Sequence, residues 1–361
     1  MTHLSLLRPA TPDLQHRLKH LSRLEPEYGL MLSNHLPMAL AALDAMGASA
    51  QRLDEFTADY RRTHGLRETA PADEPRQPLP RDWAALLGSF DDPQGLLRAA
   101  LARLLAEHGR LALLTHTLPL LLESPGAAAF HGLIRSAHAL ESGIDEELLE
   151  ALAYWGRRWL PLPAAPAAID SLGGADAGSA WLYKLDQARV RDEASWHSDA
   201  RLISQRMLGA SRLRAYQDWA RALPPVSAAA EADWLAQLAR ASAQRYLRSG
   251  HFTVLHMVTG LRAAAVLREA GPRLGATLQQ RLLEALAAAS LSAGLPLAEP
   301  DSAAVAQEDK VDNWPELLAL ACTADNDHTI KLIHALAWWQ ERRPDPLWGR
   351  CARRALGGLS A

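Results

Sequence analysis

The chain has 361 residues, of which 48% are hydrophobic and 22% are charged, and its formal net charge is -3. This balance is typical of an ordinary globular protein and excludes a strongly basic surface for nucleic acid or anionic membranes. The two cysteines, Cys322 and Cys351, are too few for a disulfide framework or a thiolate metal site. The chain shows no signal-peptide core and no run of about 18 apolar residues, so we expect a cytoplasmic protein.

Helical periodicity dominates the sequence. Apolar residues recur at i, i+3, i+4 and i+7 along most of the chain, and alternating runs of strand type are missing. We therefore predict an all-α fold, a single large helical domain with no sheet of consequence. The predicted helices are roughly 14–24, 30–46, 49–63, 94–108, 110–122, 126–156, 180–221, 228–248, 251–270, 274–293, 314–323 and 327–342.

Three polar or proline-rich stretches interrupt the helices, at 68–82, 161–180 and 295–313. The middle one is predicted to link an N-terminal half, 1–160, to a C-terminal half, 181–361, of one domain. A solenoid of helix pairs would require a repeat of fixed length, and no period of about 33 to 47 residues recurs.

Histidines stand in four otherwise apolar helical segments. They are His35 in "LSNHLPMALAAL", His131 and His138 in "GAAAFHGLIRSAHALES", His256 in "HFTVLHMVTGLRA", and His328 and His334 in "DNDHTIKLIHALAWW". Each taken alone has an ordinary interpretation as a hydrogen-bonded core residue. Burying so many imidazoles costs roughly 1–3 kcal/mol each unless partners are supplied. A shared metal ion would supply partners for all of them at once.

Lys331 is one of only four lysines and lies in the last of these segments, with apolar residues on nearly all sides. One interpretation is that its amine reaches water while the aliphatic part of the side chain packs against apolar neighbours. The other is that the amine is buried and neutral, a form that can add carbon dioxide to give a carbamate. Such a carbamate is an oxygen donor and would complete a histidine-rich site for iron, manganese or zinc.

Helix geometry allows only one of the two neighbouring histidines to join Lys331, because His328 and His334 point about 120° apart. His328 lies near the start of the helix, where Asp325 or Asp327 would cap and the helix dipole favours a neutral imidazole. We therefore prefer His328 as the ligand and keep His334 as the alternate.

These segments resemble, in order and spacing, the questin oxidase-like family over roughly residues 28–341. The resemblance also rests on "YGLMLSNHLPMALAALDAMGASAQRLDEFTADY" near the start of the chain. It implies an all-α oxidoreductase that uses O2 on an aromatic or quinonoid substrate. Fungal members open an anthraquinone ring, and the reaction is described in two ways. One is an NADPH-linked Baeyer–Villiger-type oxidation, and the other, for ring-cleaving relatives, is dioxygenation at non-haem iron held by histidines and a carboxylated lysine.

The resemblance also implies roles for individual residues. The ligands it implies are His35, His131, His256, His328 and Lys331, the last as its carbamate. Fe(II) is the expected metal, with manganese or zinc as alternatives. Arg135 stands where the fungal pattern has a second histidine, and we expect it to meet an anionic substrate oxygen. His138 is a candidate for proton transfer.

Two other functions stay open at this point. The first is an NADPH-linked monooxygenase without metal, although no glycine-rich dinucleotide fingerprint follows a strand. The second is a non-catalytic helical binding protein. The expected partners of the enzyme are a small aromatic substrate and O2, with no nucleic acid and no membrane.

Overall fold

A computed structural model describes residues 5–68, 82–89, 95–174, 176–271, 273–297 and 312–357. Within these ranges the chain forms fifteen α-helices and one short antiparallel hairpin, which confirms the predicted all-α class. The hairpin pairs β1, Glu27–Tyr28, with β2, Leu32–Ser33. None of the described helices is both long enough and apolar enough to pass through a lipid bilayer.

In the first half of the described chain, two predicted helices begin too early: α2 starts at Leu36 after a strand at Leu32–Ser33, and α5 starts at His131 rather than at residue 126. Gly109 (φ 80°, ψ 172°) interrupts the long α4, which confirms the break predicted between 108 and 110. The single helix predicted over 126–156 is two helices, because Gly143 ends the first in a left-handed conformation. The elements are α1 Pro12–Leu21, α2 Leu36–Ala45, α3 Ala50–His64, a 3₁₀ helix Trp83–Leu86, α4 Gly95–Leu121, α5 His131–Ser142 and α6 Asp145–Arg157.

In the second half, the helix predicted over 180–221 is three helices. Glu193 lies in the first gap, and its Oε1 accepts the backbone N–H of Arg214 at the start of the third helix. The elements are α7 Ala177–Asp192, α8 Ile203–Ala210, α9 Arg214–Trp219, α10 Glu231–Ser249, α11 Phe252–Ala270, α12 Gly275–Ser292, α13 Trp314–Thr323, α14 Asp327–Arg342 and α15 Pro346–Gly357.

The structure describes one of the three predicted irregular stretches and leaves most of the other two outside the described residues. Residues 161–174, within the predicted linker, form neither helix nor strand, and α7 begins at Ala177. The predicted loops at 68–82 and 295–313 lie mostly outside the described residues. The division of the domain into two halves stays a prediction.

Four helices form a closed ring at the centre of the fold. α2 packs against α5 and α14, and α11 packs against the same two helices. α11 is buried without a break from Thr253 to Leu267, and α14 from Thr329 to Trp339. Helices that are apolar on all sides belong in an interior, and α6, α10, α12, α13 and α15 pack around the ring. The ring therefore holds these four helices side by side at the centre of the described fold.

Gly132, the second residue of α5, allows that helix to lie directly against Trp155 of α6. A Cβ added at Gly132 would lie 2.6 Å from Cγ and 2.9 Å from Cα of Trp155. The two helices would have to separate to accept it. The close approach therefore fixes the position of α5 in the ring.

We expect Gly132→Ala to lower the free energy of unfolding by about 1–3 kcal/mol, because overpacking forces the helices apart. Urea denaturation measures the effect. Gly173→Ala is the matched control, since a Cβ there meets nothing within 4 Å, and it should change stability by less than about 0.5 kcal/mol. Equal stability of the two variants would contradict a tight contact between α5 and α6.

Candidate metal centre

Each helix of the central ring carries a histidine at or near its start. His35 immediately precedes α2, His131 is the first residue of α5, His256 is the fifth of α11 and His328 is the second of α14. The ring centroid of His131 lies 4.4 Å from that of His35 and 4.9 Å from that of His256. The centroid of His328 lies 4.6 Å from that of His35. The fold thus brings together four side chains that are far apart in sequence.

A left-handed turn precedes α5 and fixes its first residue. Ala128, Ala129 and Phe130 have φ values of 47°, 58° and 69°, and such conformations cost roughly 1–2 kcal/mol per residue when a Cβ is present. Gly260 of α11 accommodates the turn, since a Cβ at that position would lie 3.1 Å from the Phe130 ring. Backbone strain of this kind is concentrated at functional sites, where surrounding packing maintains it.

The Nδ1 atoms of His131 and His256 face backbone carbonyls. His131 Nδ1 donates to Ala128 O at 2.5 Å, and His256 Nδ1 donates to Phe252 O at 2.8 Å. A carbonyl oxygen can only accept a hydrogen bond, so in both rings the proton is on Nδ1. Nε2 of each neutral ring is then left with a lone pair.

The Nδ1 atoms of the other two histidines face a carboxylate. His35 Nδ1 lies 2.5 Å from Oδ2 of Asp327, and His328 Nδ1 lies 3.3 Å from the same oxygen. An ionised carboxylate such as that of Asp327 can only accept hydrogen bonds. The proton of each of these two rings is therefore on Nδ1 as well. All four histidines thus adopt the same tautomer.

With these tautomers, no described residue donates a hydrogen bond to any of the four Nε2 atoms. Nε2 of His131 and Nε2 of His256 are 3.2 Å apart, so two lone pairs face each other. Nε2 of His35 and Nε2 of His328 are buried and have no hydrogen-bond partner among the described residues. Ligand atoms of His35, His131 and His328 all lie within 4.8 Å of one another. A metal cation among them would replace repulsion by coordination, so the residues fit a metal.

Burial keeps these imidazoles neutral. It is the largest cause that lowers the pKa of His35 to about 3, and the positive charge of Lys331 lowers this pKa further. Burial also holds the pKa values of His131 and His256 well below 6.5 and lowers the pKa of His328. The neutral imidazole is the form that binds a metal, so this group is ready to coordinate at neutral pH.

Asp327 and Lys331 form a charged pair beside the histidines. Lys331 Nζ lies 3.2 Å from Oδ2 of Asp327, and the expected burial of Lys331 is confirmed, with 3% of the residue exposed. Burial lowers the pKa of Lys331, although Asp327 opposes that shift. Burial raises the pKa of Asp327, but the positive charge of Lys331 first, and then the adjacent His35 and His328, outweigh this effect and hold that pKa well below 3.8.

The remaining candidate residues form separate pairs. The rings of His138 and His334, both buried, have centroids 5.1 Å apart. Arg135 forms a two-point ion pair with Glu147, with N–O distances of 2.7 and 3.0 Å. Of the two alternatives on α14, His328 therefore lies with the candidate ligands, and His334 lies against His138. Proton transfer by His138 and a substrate contact by Arg135 stay predictions.

A cavity of about 510 Å³ lies beside the histidines. His35, His131 and His328 form part of its wall. Phe252 is also in the wall and packs against His328, with centroids 4.6 Å apart. Its mainly apolar lining includes Met31, Leu32, Ala127, Ala128, Ala129, Leu160, Leu162, Ile203 and Met207. Sites for drug-sized ligands have volumes of about 300–1,000 Å³, so the cavity suits a small organic molecule.

The sequence model of questin oxidase-like proteins matches residues 32–336. The chain belongs to the questin oxidase-like family. A search of the curated proteins finds no match. The family's name indicates an oxidase. The matched segment starts just before His35 and ends just after His334, so it contains every candidate site residue of this questin oxidase-like chain.

Asp327 is a part of the site that sequence reasoning missed. The sequence suggests that Asp325 or Asp327 caps α14, which is wrong. Asn326 is the cap, and its Oδ1 accepts the backbone N–H groups of His328 and Thr329 at 3.0 Å. The signal that could have revealed Asp327 is its spacing, because it lies one helical turn before Lys331 and on the same face. The cavity wall contributed by α8 gives no such signal, since only folding brings it near the histidines.

The neutral histidines predict that the metal-free protein is sensitive to acid. A histidine whose pKa falls on folding binds more protons when unfolded, so its contribution to stability is lost as pH decreases below about 6.5. Each such histidine contributes up to about 1.4 kcal/mol per pH unit. We expect the free energy of unfolding, measured in urea with a chelator present, to fall by about 3 kcal/mol or more between about pH 7.5 and 5.5.

Two variants test whether the buried histidines cause this dependence of the free energy of unfolding on pH, whose slope is given per pH unit. His256→Leu should reduce it by up to about 1.4 kcal/mol per pH unit. His197→Leu should leave it unchanged, because His197 is exposed. A stability of the unsubstituted protein that is constant over this pH range would contradict the buried neutral state.

Proposed function

We propose that this protein is an oxidoreductase that oxidises a small aromatic or quinonoid substrate with O2 at a bound metal. One observation carries the proposal. Four imidazoles direct Nδ1 at oxygen acceptors, ligand atoms of His35, His131 and His328 lie within 4.8 Å of one another, and Nε2 of His256 lies 3.2 Å from Nε2 of His131. Histidine ligands have this arrangement, in which one nitrogen fixes the ring and the other coordinates. Membership of a family named for an oxidase supports the reaction class.

The proposed ligands favour iron(II). Imidazole suits iron, manganese and zinc alike, but zinc has no redox chemistry of its own. Iron(II) is therefore the first candidate, and manganese is the second. When bound, the metal would supply the electron transfer that lets O2 react with a closed-shell organic molecule.

The acidic and basic neighbours of the histidines have proposed roles too. Asp327 would orient His35 and His328 through their Nδ1 atoms, as carboxylates do behind metal-bound histidines. Lys331 would become a further ligand as its carbamate. In that reaction the neutral amine adds CO2 and releases one proton, which converts a cationic side chain into an oxygen donor. Burial and the lowered pKa of Lys331 support this step.

The cavity is the proposed site of the substrate. Its apolar wall would hold an aromatic ring beside His35 and His131, with much of the ring shielded from water. If both atoms of O2 enter the substrate, no further electrons are required. If only one atom enters, two electrons must come from a reductant, for which NADPH is the candidate. The ratio of NADPH to O2 consumed therefore distinguishes the two reactions.

Metal analysis tests the proposal. Protein expressed with added iron should contain close to one equivalent of metal, and His328→Ala should lose most of it because a ligand is removed. His334→Ala on the same helix is the matched control and should retain the metal. Metal below about a tenth of an equivalent in the unsubstituted protein would exclude the proposed centre, and retention by His328→Ala with loss by His334→Ala would reverse the ligand assignment.

Lys331→Arg tests the carbamate. The variant keeps a positive charge but cannot form the same carbamate, so we expect it to bind at least about tenfold less metal at limiting iron. In ¹³C-bicarbonate, NMR should show a carbamate carbon in the unsubstituted protein and none in Lys331→Arg. Unchanged metal content together with identical spectra would show that Lys331 acts only as the partner of Asp327.

The two alternatives from the sequence give different results. A metal-free NADPH-linked monooxygenase would keep NADPH-dependent activity in His131→Ala and His256→Ala. A non-catalytic binding protein would neither retain metal nor consume O2 with aromatic compounds. Circular dichroism of each variant shows whether a loss reflects the site or the fold.

A further inference from the structure

The cavity beside the candidate metal centre has an excess of positive charge in its wall. Three guanidinium groups, those of Arg158, Arg201 and Arg206, line it together with one carboxylate, that of Glu27. Arg158 is neutralised, because its Nε donates to Oε1 of Glu27 at 2.6 Å and a second contact joins the same two side chains. Among the described residues of the wall, no second acid compensates the charges of Arg201 and Arg206.

Arg201 and Arg206 have no side-chain hydrogen bond or ion pair within the part of the chain that the structure describes. Nε of Arg206 is buried and unpartnered. That atom is closed to the cavity, so a ligand that supplied an oxygen would meet the terminal nitrogens of the guanidinium groups and offset their positive charge. The two terminal nitrogens of an arginine without a partner among the described residues can bind a carboxylate at two points.

The backbone next to these arginines adds donors. α8 begins at Ile203, and the residue before it, Leu202, provides no side-chain cap. Ile203, Ser204 and Gln205 all line the cavity, and the first N–H groups of a helix have no partner within the helix. These groups carry partial positive charge, which favours an anion. His35, whose Nε2 is buried and has no partner among the described residues, lines the same cavity.

We propose that the substrate is an aromatic carboxylate, whose carboxylate binds Arg201 and Arg206 while its ring occupies the apolar part of the cavity beside the histidines. The inference rests on the proposed function only in taking this cavity as the substrate site. It assigns to Arg201 and Arg206 the anion contact that the sequence suggested for Arg135. Arg135 is already paired with Glu147.

The test compares two fluorescent probes, 6-hydroxy-2-naphthoate and 2-naphthol. They share the two fused rings and the hydroxyl and differ in the carboxylate, which is too far from the hydroxyl for the two groups to chelate a metal together. Each is titrated into the full-length protein, both as purified and after treatment with a chelator. We expect the naphthoate to bind at least about tenfold more tightly in both preparations.

Variants assign the preference to the two arginines. The double substitution Arg201→Gln, Arg206→Gln should weaken binding of the naphthoate to within about twofold of 2-naphthol and leave 2-naphthol binding unchanged. Arg212→Gln is the control, since Arg212 follows α8, is exposed and is not in the cavity wall. It should keep the full preference.

Two results would overturn the inference. One is equal affinity of the unsubstituted protein for the two probes, and the other is a carboxylate preference that survives in the double variant. The titration of chelated protein does not depend on metal binding or turnover. Failure of the proposed oxidation would instead appear in metal content and O2 consumption, so the two failures are distinguishable.

Discussion

Four neutral imidazoles packed together in the interior, with lone pairs on Nε2, are the constraint on which the rest of this structure depends. Nε2 of His131 and Nε2 of His256 lie 3.2 Å apart, and neither has a proton to share while its Nδ1 donates to a carbonyl. Protonation would relieve the repulsion, but burial lowers the pKa of both rings. A metal ion resolves the conflict without adding a proton, which is why the proposed function begins from these atoms.

The central ring of helices explains how the constraint is maintained. α2, α5, α11 and α14 each deliver a histidine at or near the helix start, where the positive end of the helix dipole disfavours an imidazolium. The left-handed turn at residues 128–130 and the contact of Gly132 with Trp155 fix the start of α5. Strain in the turn is offset by packing around it, so the positions of the rings depend on the whole interior.

Charge balance connects the candidate metal centre with the cavity. A divalent cation near four positive helix ends requires negative charge, and Asp327 supplies one carboxylate. A carbamate on Lys331 would supply a second negative charge and remove a positive one. An anionic substrate held by Arg201 and Arg206 would add further negative charge. The proposed carbamate on Lys331 and the proposed anionic substrate would therefore both offset the positive charge of the metal.

The sequence by itself determined the helical class, the break at Gly109 and the candidate histidines on apolar helices, because periodicity and polar residues in apolar segments are local signals. It did not determine the helix boundaries over 126–156 and 180–221. Nor did it reveal Asp327 as a partner of the histidines. Only the tertiary structure separated His328 from His334, paired Arg135 with Glu147 and brought Arg201 and Arg206 to the cavity. Contacts between distant segments depend on how helices pack, and helix packing leaves no pattern within a single segment.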